Sequence, residues 1–344
     1  PLSAPALGAK GFRPISKVSS APFTGKFDGA TFMISNLYIR SDGTRLGLFR
    51  DTFKAELSNI RLVNVDVKGV AGGSNIGSLV GYNRTSSIIN SSSTGTVTGG
   101  GDGSSIGGLV GYNIDSCIIT DSNSSVTVSG GDRDTVIGGL VGFNNTGSSI
   151  TGSYATGTVT GGFGSMTLGG LVGDNESIST ISNSYSSGTV TGGDKSWNVG
   201  GLVGRNGTKS TILNYSHSQG AVTGTNYVGG LVGYNFSSAI TSSYSTGPVT
   251  ARDLGYNVGG LVGCAEGQDS AISTSYASGK VTGGSTSHEI GGLVGYNNSN
   301  SLIASSYSSG NVAGGSGSYE IGGLVGYSSS SAITNSYSKG AVTG

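Results

Sequence analysis

The sequence predicts an all-β fold, a β-solenoid (β-helix) of about ten three-strand coils with roughly 30 residues per coil. One motif, Gly-Leu-Val-Gly or Ser-Leu-Val-Gly, recurs nine times at intervals of 29 to 32 residues, and a repeat of this length indicates a solenoid, a propeller or an array. Glycine supplies 66 residues and charged residues only 10%. No stretch shows the 3.6-residue apolar period of a helix. The leucines of the motif are Leu79, Leu109, Leu140, Leu171, Leu202, Leu231, Leu261, Leu293 and Leu324.

Three short apolar clusters fill each repeat and predict its three strands. The first runs from Ile137 to Val141 through the Gly-Leu-Val-Gly motif. The second pairs an aliphatic residue with a tyrosine four residues later, as Ile150 with Tyr154. The third is Gly-x-Val, as at Val159. Each cluster is bounded by Gly, Ser or Asn, which is typical of short strands. Stacked coils would place like residues above like residues at ~4.8 Å.

Two regions differ in composition, and we predict a boundary between them. Residues 1–69 form an N-terminal segment or cap that includes a degenerate first coil, because Leu48 lies 31 residues before Leu79. This region carries ten Lys/Arg against five Asp/Glu, a net charge of +5. Residues 70–344 form nine coils and carry eight Lys/Arg against thirteen Asp/Glu, a net charge of −5.

A column of asparagines follows the Gly-Leu-Val-Gly strand. We predict a structural ladder in which each side-chain amide bonds to its equivalents in neighbouring coils. Several of these residues also begin Asn-x-Ser/Thr triplets, the acceptor for N-glycosylation. We favour the ladder, since a repeated Asn followed by Ser or Thr generates the triplet automatically. The column contains Asn83, Asn113, Asn144, Asn175, Asn206, Asn235 and Asn297.

Tyrosines form a possible surface aromatic column directly before the asparagines. The column contains Tyr82, Tyr112, Tyr234, Tyr296 and Tyr327. Aromatic rings in such a column can stack on sugar rings. They can also stack on each other and stabilise their own sheet, which is the interpretation that we favour.

The unit Gly-Gly-Leu-Val-Gly-Tyr-Asn … Ser-Tyr-Ser-x-Gly-x-Val-Thr-Gly resembles the GLUG repeat from about Phe12 to Gly344. That family is known from bacterial IgA-specific metallopeptidases, large surface adhesins and other exported bacterial and archaeal envelope proteins. The segment from Pro22 to Gly29 also looks like the stretch that often leads into such repeats. The resemblance implies a solenoid in an exported, extracellular protein.

The residues do not indicate an enzyme or a cofactor. A zinc peptidase of the family would need His-Glu-x-x-His, and the two histidines, His217 and His288, do not form it. We expect His217 to replace a tyrosine in an aromatic column and His288 to lie in a variable loop without a repeated partner. Acidic loop residues recur in too few copies for a cleft or a metal site, so we predict no catalytic residue, metal or cofactor. Zero net charge argues against nucleic acid, and no apolar stretch is long enough to insert into a membrane.

The two cysteines, Cys117 and Cys264, cannot form a disulfide with each other in one solenoid. Five coils separate them by about 24 Å at the coil spacing, whereas a disulfide needs Cα atoms within about 7 Å. Buried thiols and intermolecular disulfides both remain open. Cys264 stands in the tyrosine column, which we expect to face outward, and is the better candidate for a cross-link.

From these features we expect a non-enzymatic extracellular structural protein that associates with other copies of itself into a sheath, filament, surface layer or stalk. The charge separation, the cysteines and the final copy, which stops at Gly344 without a cap, favour this function. A fragment of a longer protein would end in the same way. The alternative is an adhesin segment that binds surface glycans or proteins through solenoid faces and loops.

Overall fold

The computed structural model describes residues 11–16, 21–30, 32–41 and 43–344. The rest of the predicted N-terminal segment lies outside the described residues. The described residues form strands and no α-helix, and the strands pair in parallel from coil to coil. The coils have about 31 residues each and number about ten, so the predicted β-solenoid is confirmed. Within the described part of the chain, no helix is long and apolar enough to cross a membrane.

Sheet 1 contains the strands that follow the Gly-Leu pair of each repeat. Their valines pair in register, as Val172 with Val203, so one column of valines faces the core. The strands are Phe49–Phe53, Val80–Arg84, Val110–Ile114, Val141–Asn144, Val172–Asn175, Val203–Gly207, Val232–Phe236, Val262–Glu266, Val294–Asn297 and Val325–Ser328.

Sheet 2 carries a column of isoleucines, as Ile181 pairs with Ile212. Each of its strands has only three residues, because a turn precedes it and another follows it. They are Lys26–Asp28, Glu56–Ser58, Ser87–Ile89, Ile118–Thr120, Ser149–Thr151, Thr180–Ser182, Thr211–Leu213, Ala239–Thr241, Ala271–Ser273, Leu302–Ala304 and Ala332–Thr334.

Sheet 3 covers the longest side of each coil and is divided into several short strands. It includes the Gly-x-Val strands, and Val190 pairs with Val222. Its strands are Met33–Ser35, Tyr38–Arg40, Arg61–Lys68, Ser74–Ile76, Ser92–Thr98, Ser104–Gly107, Asn123–Ser129, Val136–Gly138, Tyr154–Ala155, Val159–Thr160, Thr167–Gly169, Tyr185–Ser186, Val190–Thr191, Val199–Gly200, His217–Ser218, Val222–Gly229, Tyr244–Ser245, Val249–Gly259, Tyr276–Ala277, Val281–Thr282, His288–Gly291, Tyr307–Ser308, Val312–Ala313, Tyr319–Gly322, Tyr337–Ser338 and Val342–Thr343.

The predicted clusters do not coincide with single strands, although the number of sheets is three. Ile181 lies in sheet 2 and Tyr185 in sheet 3, because a buried serine bends the chain between them. The hydroxyl of Ser184 donates to the carbonyl of Ser182 at 2.8 Å and accepts from the backbone N–H of Ser153 in the preceding coil at 3.1 Å. The serine therefore satisfies polar groups that the corner would otherwise leave unpaired.

Glycines form the corner between sheets 3 and 1, which divides the first predicted cluster as well. Leu168 precedes this corner and Val172 follows it, and both side chains are fully buried. A Cβ added to Gly139 would overlap the carbonyl oxygen of Gly170 in the next coil. The coils can stack at this corner only because these positions lack a side chain.

The N-terminal segment already follows the register of the repeats. Phe49 pairs with Val80, and Leu57 pairs with Ile88, one repeat later. Phe23 and Phe27 pack against Phe49, with ring centroids 4.9 and 5.5 Å apart. These aromatic side chains enlarge the apolar core at the start of the solenoid.

Candidate binding groove at the corner between two sheets

The corner between sheets 3 and 1 places three side chains of each coil outside the aliphatic core. In one coil they are Trp197 and Asn198, just before the core residue Val199, and Arg205, just after the Val-Gly pair of sheet 1. Asn198 has a φ of +48°, a left-handed conformation that interrupts the alternation of the strand. Because these positions recur in each coil, their side chains form three lines along the solenoid, which we call files.

A groove of about 450 Å³ lies between these files over four coils, and we call it the corner groove. Met166 and Trp197 line one side, and Asp174 and Arg205 line the other. Its remaining lining residues are Thr135, Val136, Thr167, Asn198, Tyr227 and Tyr234.

Asp174 is the most perturbed acid of the groove. Its side chain is almost completely buried, and burial raises its pKa to about 7. Arg205 opposes this rise, because its Nη1 donates to Asp174 Oδ2 at 3.3 Å, and it also lies 3.2 Å from Glu176 Oε2. The second oxygen, Asp174 Oδ1, has no hydrogen-bond partner among the described residues. An unpaired buried oxygen is costly, and a hydroxyl of a ligand would satisfy it.

Aromatic rings form the end of the corner groove. The ring of Tyr227 lies 5.6 Å from that of Tyr234, nearly parallel to it. Trp197 contacts Tyr227 and Tyr256 edge to face, at 5.3 and 5.7 Å. Trp197 keeps 37% of its surface exposed, so part of the indole remains accessible. Burial raises the pKa values of Tyr227 and Tyr234, which keeps both hydroxyls protonated as hydrogen-bond donors.

One irregular loop lies beside the groove. In other copies the Gly-x-Val valine lies nine residues before the next core aliphatic, but Val222 lies only six residues before Val228. The shortened chain crosses this side as one strand, Val222–Gly229. Longer loops of neighbouring coils therefore project beyond it, and a second cavity of about 590 Å³ lies beside the short loop. Its lining includes Asp194, Lys195, Thr225, Asn226, Arg252, Asp253, Leu254 and Tyr256.

The predicted tyrosine column exists as separate segments. Tyr82 stacks on Tyr112 at 5.3 Å, and Tyr296 stacks on Tyr327 at 5.5 Å. The residues between them in register are Phe143, Asp174, Arg205, Tyr234 and Cys264. Asp174 and Arg205 were not predicted as members of this column because they are not tyrosines. Their position in the tyrosine column was the available signal.

The asparagine column lies inside the solenoid. From Asn83 to Asn206, each Nδ2 donates to Oδ1 of the asparagine in the next coil, at 2.7 to 2.8 Å. Ala265 interrupts the column, and Asn297 beyond it donates to Ser328. These side-chain amides are fully buried and hydrogen-bonded, so a glycan cannot be attached to them in the folded chain.

A second aromatic file lies on sheet 3, and His217 belongs to it. The imidazole stacks between Tyr185 and Tyr244, at 5.1 and 4.6 Å. The expectation for His288 was wrong. His288 lies in the strand His288–Gly291 and stacks between Tyr256 and Tyr319, at 5.5 and 4.9 Å. The residue type varies along the file that contains His288, and this variation concealed the repeated position in the sequence.

The expectation that Cys264 faces outward was also wrong. Both cysteines are free and buried, and Cys264 is only 1% exposed. Burial raises the pKa of Cys117 to about 11 and also raises the pKa of Cys264. A protonated, buried thiol reacts slowly, so these positions do not favour an intermolecular disulfide.

Comparison with known proteins identifies the repeat. Neither the curated proteins nor the solved structures contain a match to this chain. The model of a family described as the GLUG motif matches seven segments: residues 72–98, 102–129, 134–160, 164–191, 224–250, 255–282 and 317–343. Trp197 and Arg205 lie between the matched segments, whereas Asp174, Tyr227 and Tyr234 lie within them. Because the matched segments together span more than half of its length, the chain belongs to the GLUG motif family.

Proposed function

We propose that this chain is a non-enzymatic extracellular repeat protein that binds glycans in the corner groove. GLUG repeats are typical of surface-associated proteins. The observation that carries the proposal is that the partly exposed indole of Trp197 and Asp174, whose Oδ1 is unpaired, line one groove.

The side chains of the groove match the two kinds of surface on a sugar. The apolar C–H face of a pyranose packs on an aromatic ring such as Trp197. Its hydroxyls need acceptors and donors, which Asp174, Asn198 and Arg205 supply. Asn198 also lines the groove, and its buried Oδ1 has no partner among the described residues, so rotation of this side chain toward the groove would let it accept from a hydroxyl.

The charges of the groove favour a neutral sugar. Arg205 already lies between two carboxylates, Asp174 and Glu176. A uronic or sialic acid would bring a third carboxylate close to this pair and raise the electrostatic cost. We therefore expect neutral hexoses or N-acetylhexosamines to bind more tightly than acidic sugars.

A glycan array probed with the full chain tests this function. The expected result is binding to neutral glycans that is lost in Trp197→Ala. Phe163→Ala is the control, since Phe163 is a 46% exposed aromatic that does not line the groove. An array without hits would contradict the proposal, and so would equal loss in both variants.

Self-association is the second candidate function, and the charge separation favours it. The net charge is +5 for residues 1–69 and −5 for the remainder, so opposite charges are separated along the sequence. Attraction between copies would weaken with salt. Analytical ultracentrifugation at low and high ionic strength tests this, and a monomer at both, at high protein concentration, would exclude it.

A further inference from the structure

A group of metal-binding side chains lies at the same corner, three coils beyond Arg205. His288, Glu289 and Glu320 each offer one ligand atom, and these atoms lie within 4.8 Å of one another. His288 and Glu289 are adjacent in one strand, and Glu320 is the equivalent of Glu289 in the next coil, since Ile290 pairs with Ile321. This stacking brings together residues that are 31 positions apart in the sequence.

The two glutamates repel each other in the absence of a cation. Glu289 and Glu320 have φ values of +56°, so both side chains leave the strand in the same direction. Directly opposed like charges destabilise a sheet. A bound cation would relieve both the repulsion and the cost of burial.

Unpaired polar atoms at this place are an independent sign of a ligand. His288 Nδ1 is buried, and its contact with Glu289 Oε2, another member of the group, is long at 3.5 Å and lacks hydrogen-bond geometry. Asn257 precedes Glu289 in the same file, since Val258 pairs with Ile290. Its side chain is 4% exposed, and its Oδ1 is also unpaired.

We propose that His288, Glu289 and Glu320 bind a divalent transition metal ion, with Zn²⁺ as the representative. Imidazole nitrogen with carboxylate oxygens is a ligand set that zinc accepts. Calcium prefers six to eight oxygen ligands, so it fits this set poorly. The aromatic rings of Tyr256 and Tyr319 hold the imidazole plane on both faces. Neither of the two candidate functions above is needed for this site.

The other histidine provides a matched control. His217 also stacks between two tyrosines, but it does not belong to a cluster of potential ligands among the described residues. His288→Phe and His217→Phe each keep an aromatic ring in the stack and remove the imidazole nitrogens. Glu320→Gln removes one carboxylate at a more exposed position and provides a second test if His288→Phe folds poorly.

Isothermal titration of the chelator-treated full chain with ZnCl₂ tests the site, with circular dichroism as a check of folding. We expect one Zn²⁺ per chain, affinity lower by about tenfold or more in His288→Phe and Glu320→Gln, and no change in His217→Phe. CaCl₂ should not compete. The proposal is overturned if the wild type binds no zinc, if Glu320→Gln binds as the wild type does, or if His217→Phe loses as much affinity as His288→Phe.

Discussion

Arg205 Nη1 lies 3.3 Å from Asp174 Oδ2, and these two residues occupy neighbouring coils at positions that hold tyrosine in other repeats. The pair replaces two rings of an aromatic column by a carboxylate and a guanidinium. A repeat that served only to stack coils would gain little from this exchange, because a buried ion pair is weak evidence of stabilisation. The exchange instead provides polar groups beside Trp197, which supports a binding role for the corner groove.

Replacing Asp174 should alter the pH dependence of stability. The pKa of Asp174 is 3.8 without this burial and about 7 in the folded chain. Between these two pH values, the folded state therefore holds a proton that the unfolded state has released. The contribution of this group is therefore fully present below pH 4 and is lost as the pH rises toward 7, by at most about 1.4 kcal/mol per pH unit. Asp174→Asn should remove this loss in chemical denaturation measured from pH 4 to 8.

Asp102→Asn is the control for that measurement. Asp102 pairs with Arg133 on the surface, and this ion pair lowers its pKa, so the sign is opposite. Its contribution is present above the unfolded pKa and is lost as the pH falls. If Asp174→Asn follows the wild-type profile from pH 4 to 7, then Asp174 is not the buried acid described above.

An asparagine inside the continuous part of the ladder should stabilise the fold more than one beyond the interruption. Asn144 donates to Asn175 and accepts from Asn113, both at 2.8 Å. Asn144→Ala would leave both buried neighbours short of a partner, and we expect a loss of about 1 to 3 kcal/mol in the free energy of unfolding. Asn297→Ala should cost less, because Ala265 precedes it and its Oδ1 is already unpaired. Urea denaturation gives both values, and equal losses would refute the ladder as a cooperative unit.

Both thiols should be unreactive in the folded protein. Cys117 and Cys264 are buried, and burial raises the pKa of each, so the thiolate is scarce at neutral pH. Labelling with a thiol-specific disulfide reagent should be slow in native buffer and should reach two thiols per chain in denaturant. Rapid native labelling of Cys264, located by mass spectrometry of the Cys117→Ser variant, would show that this thiol is accessible.

The columns of the fold were predictable from the sequence because like residues recur at a fixed interval. Leu171 and Leu202 could be placed in one buried column from spacing alone, since a parallel stack allows only one register for a dry core. The asparagine column followed from the same rule. Neither prediction required knowledge of the loops.

The groove was not predictable in this way, since it depends on departures from the repeat. Asp174 and Arg205 interrupt a column of aromatic residues. The short Val222–Val228 interval was visible in the sequence, but its effect on the neighbouring loops depends on how far those loops extend from the solenoid. The outward position expected for Cys264 failed for a related reason. Cys264 is only 1% exposed, and it lies between the larger Tyr234 and Tyr296 of the neighbouring coils.

Fluorescence of Trp197 tests the central claim most directly, because it is the only tryptophan of the chain and lies in the corner groove. Titration of the full chain with a neutral glycan selected on the array should change the emission in a saturable way. Asp174→Asn, which keeps the indole, should weaken binding by about tenfold, the equivalent of 1.4 kcal/mol. Binding of the glycan without any change in Trp197 emission, or with unchanged affinity in Asp174→Asn, would contradict the assignment of the groove as the glycan site.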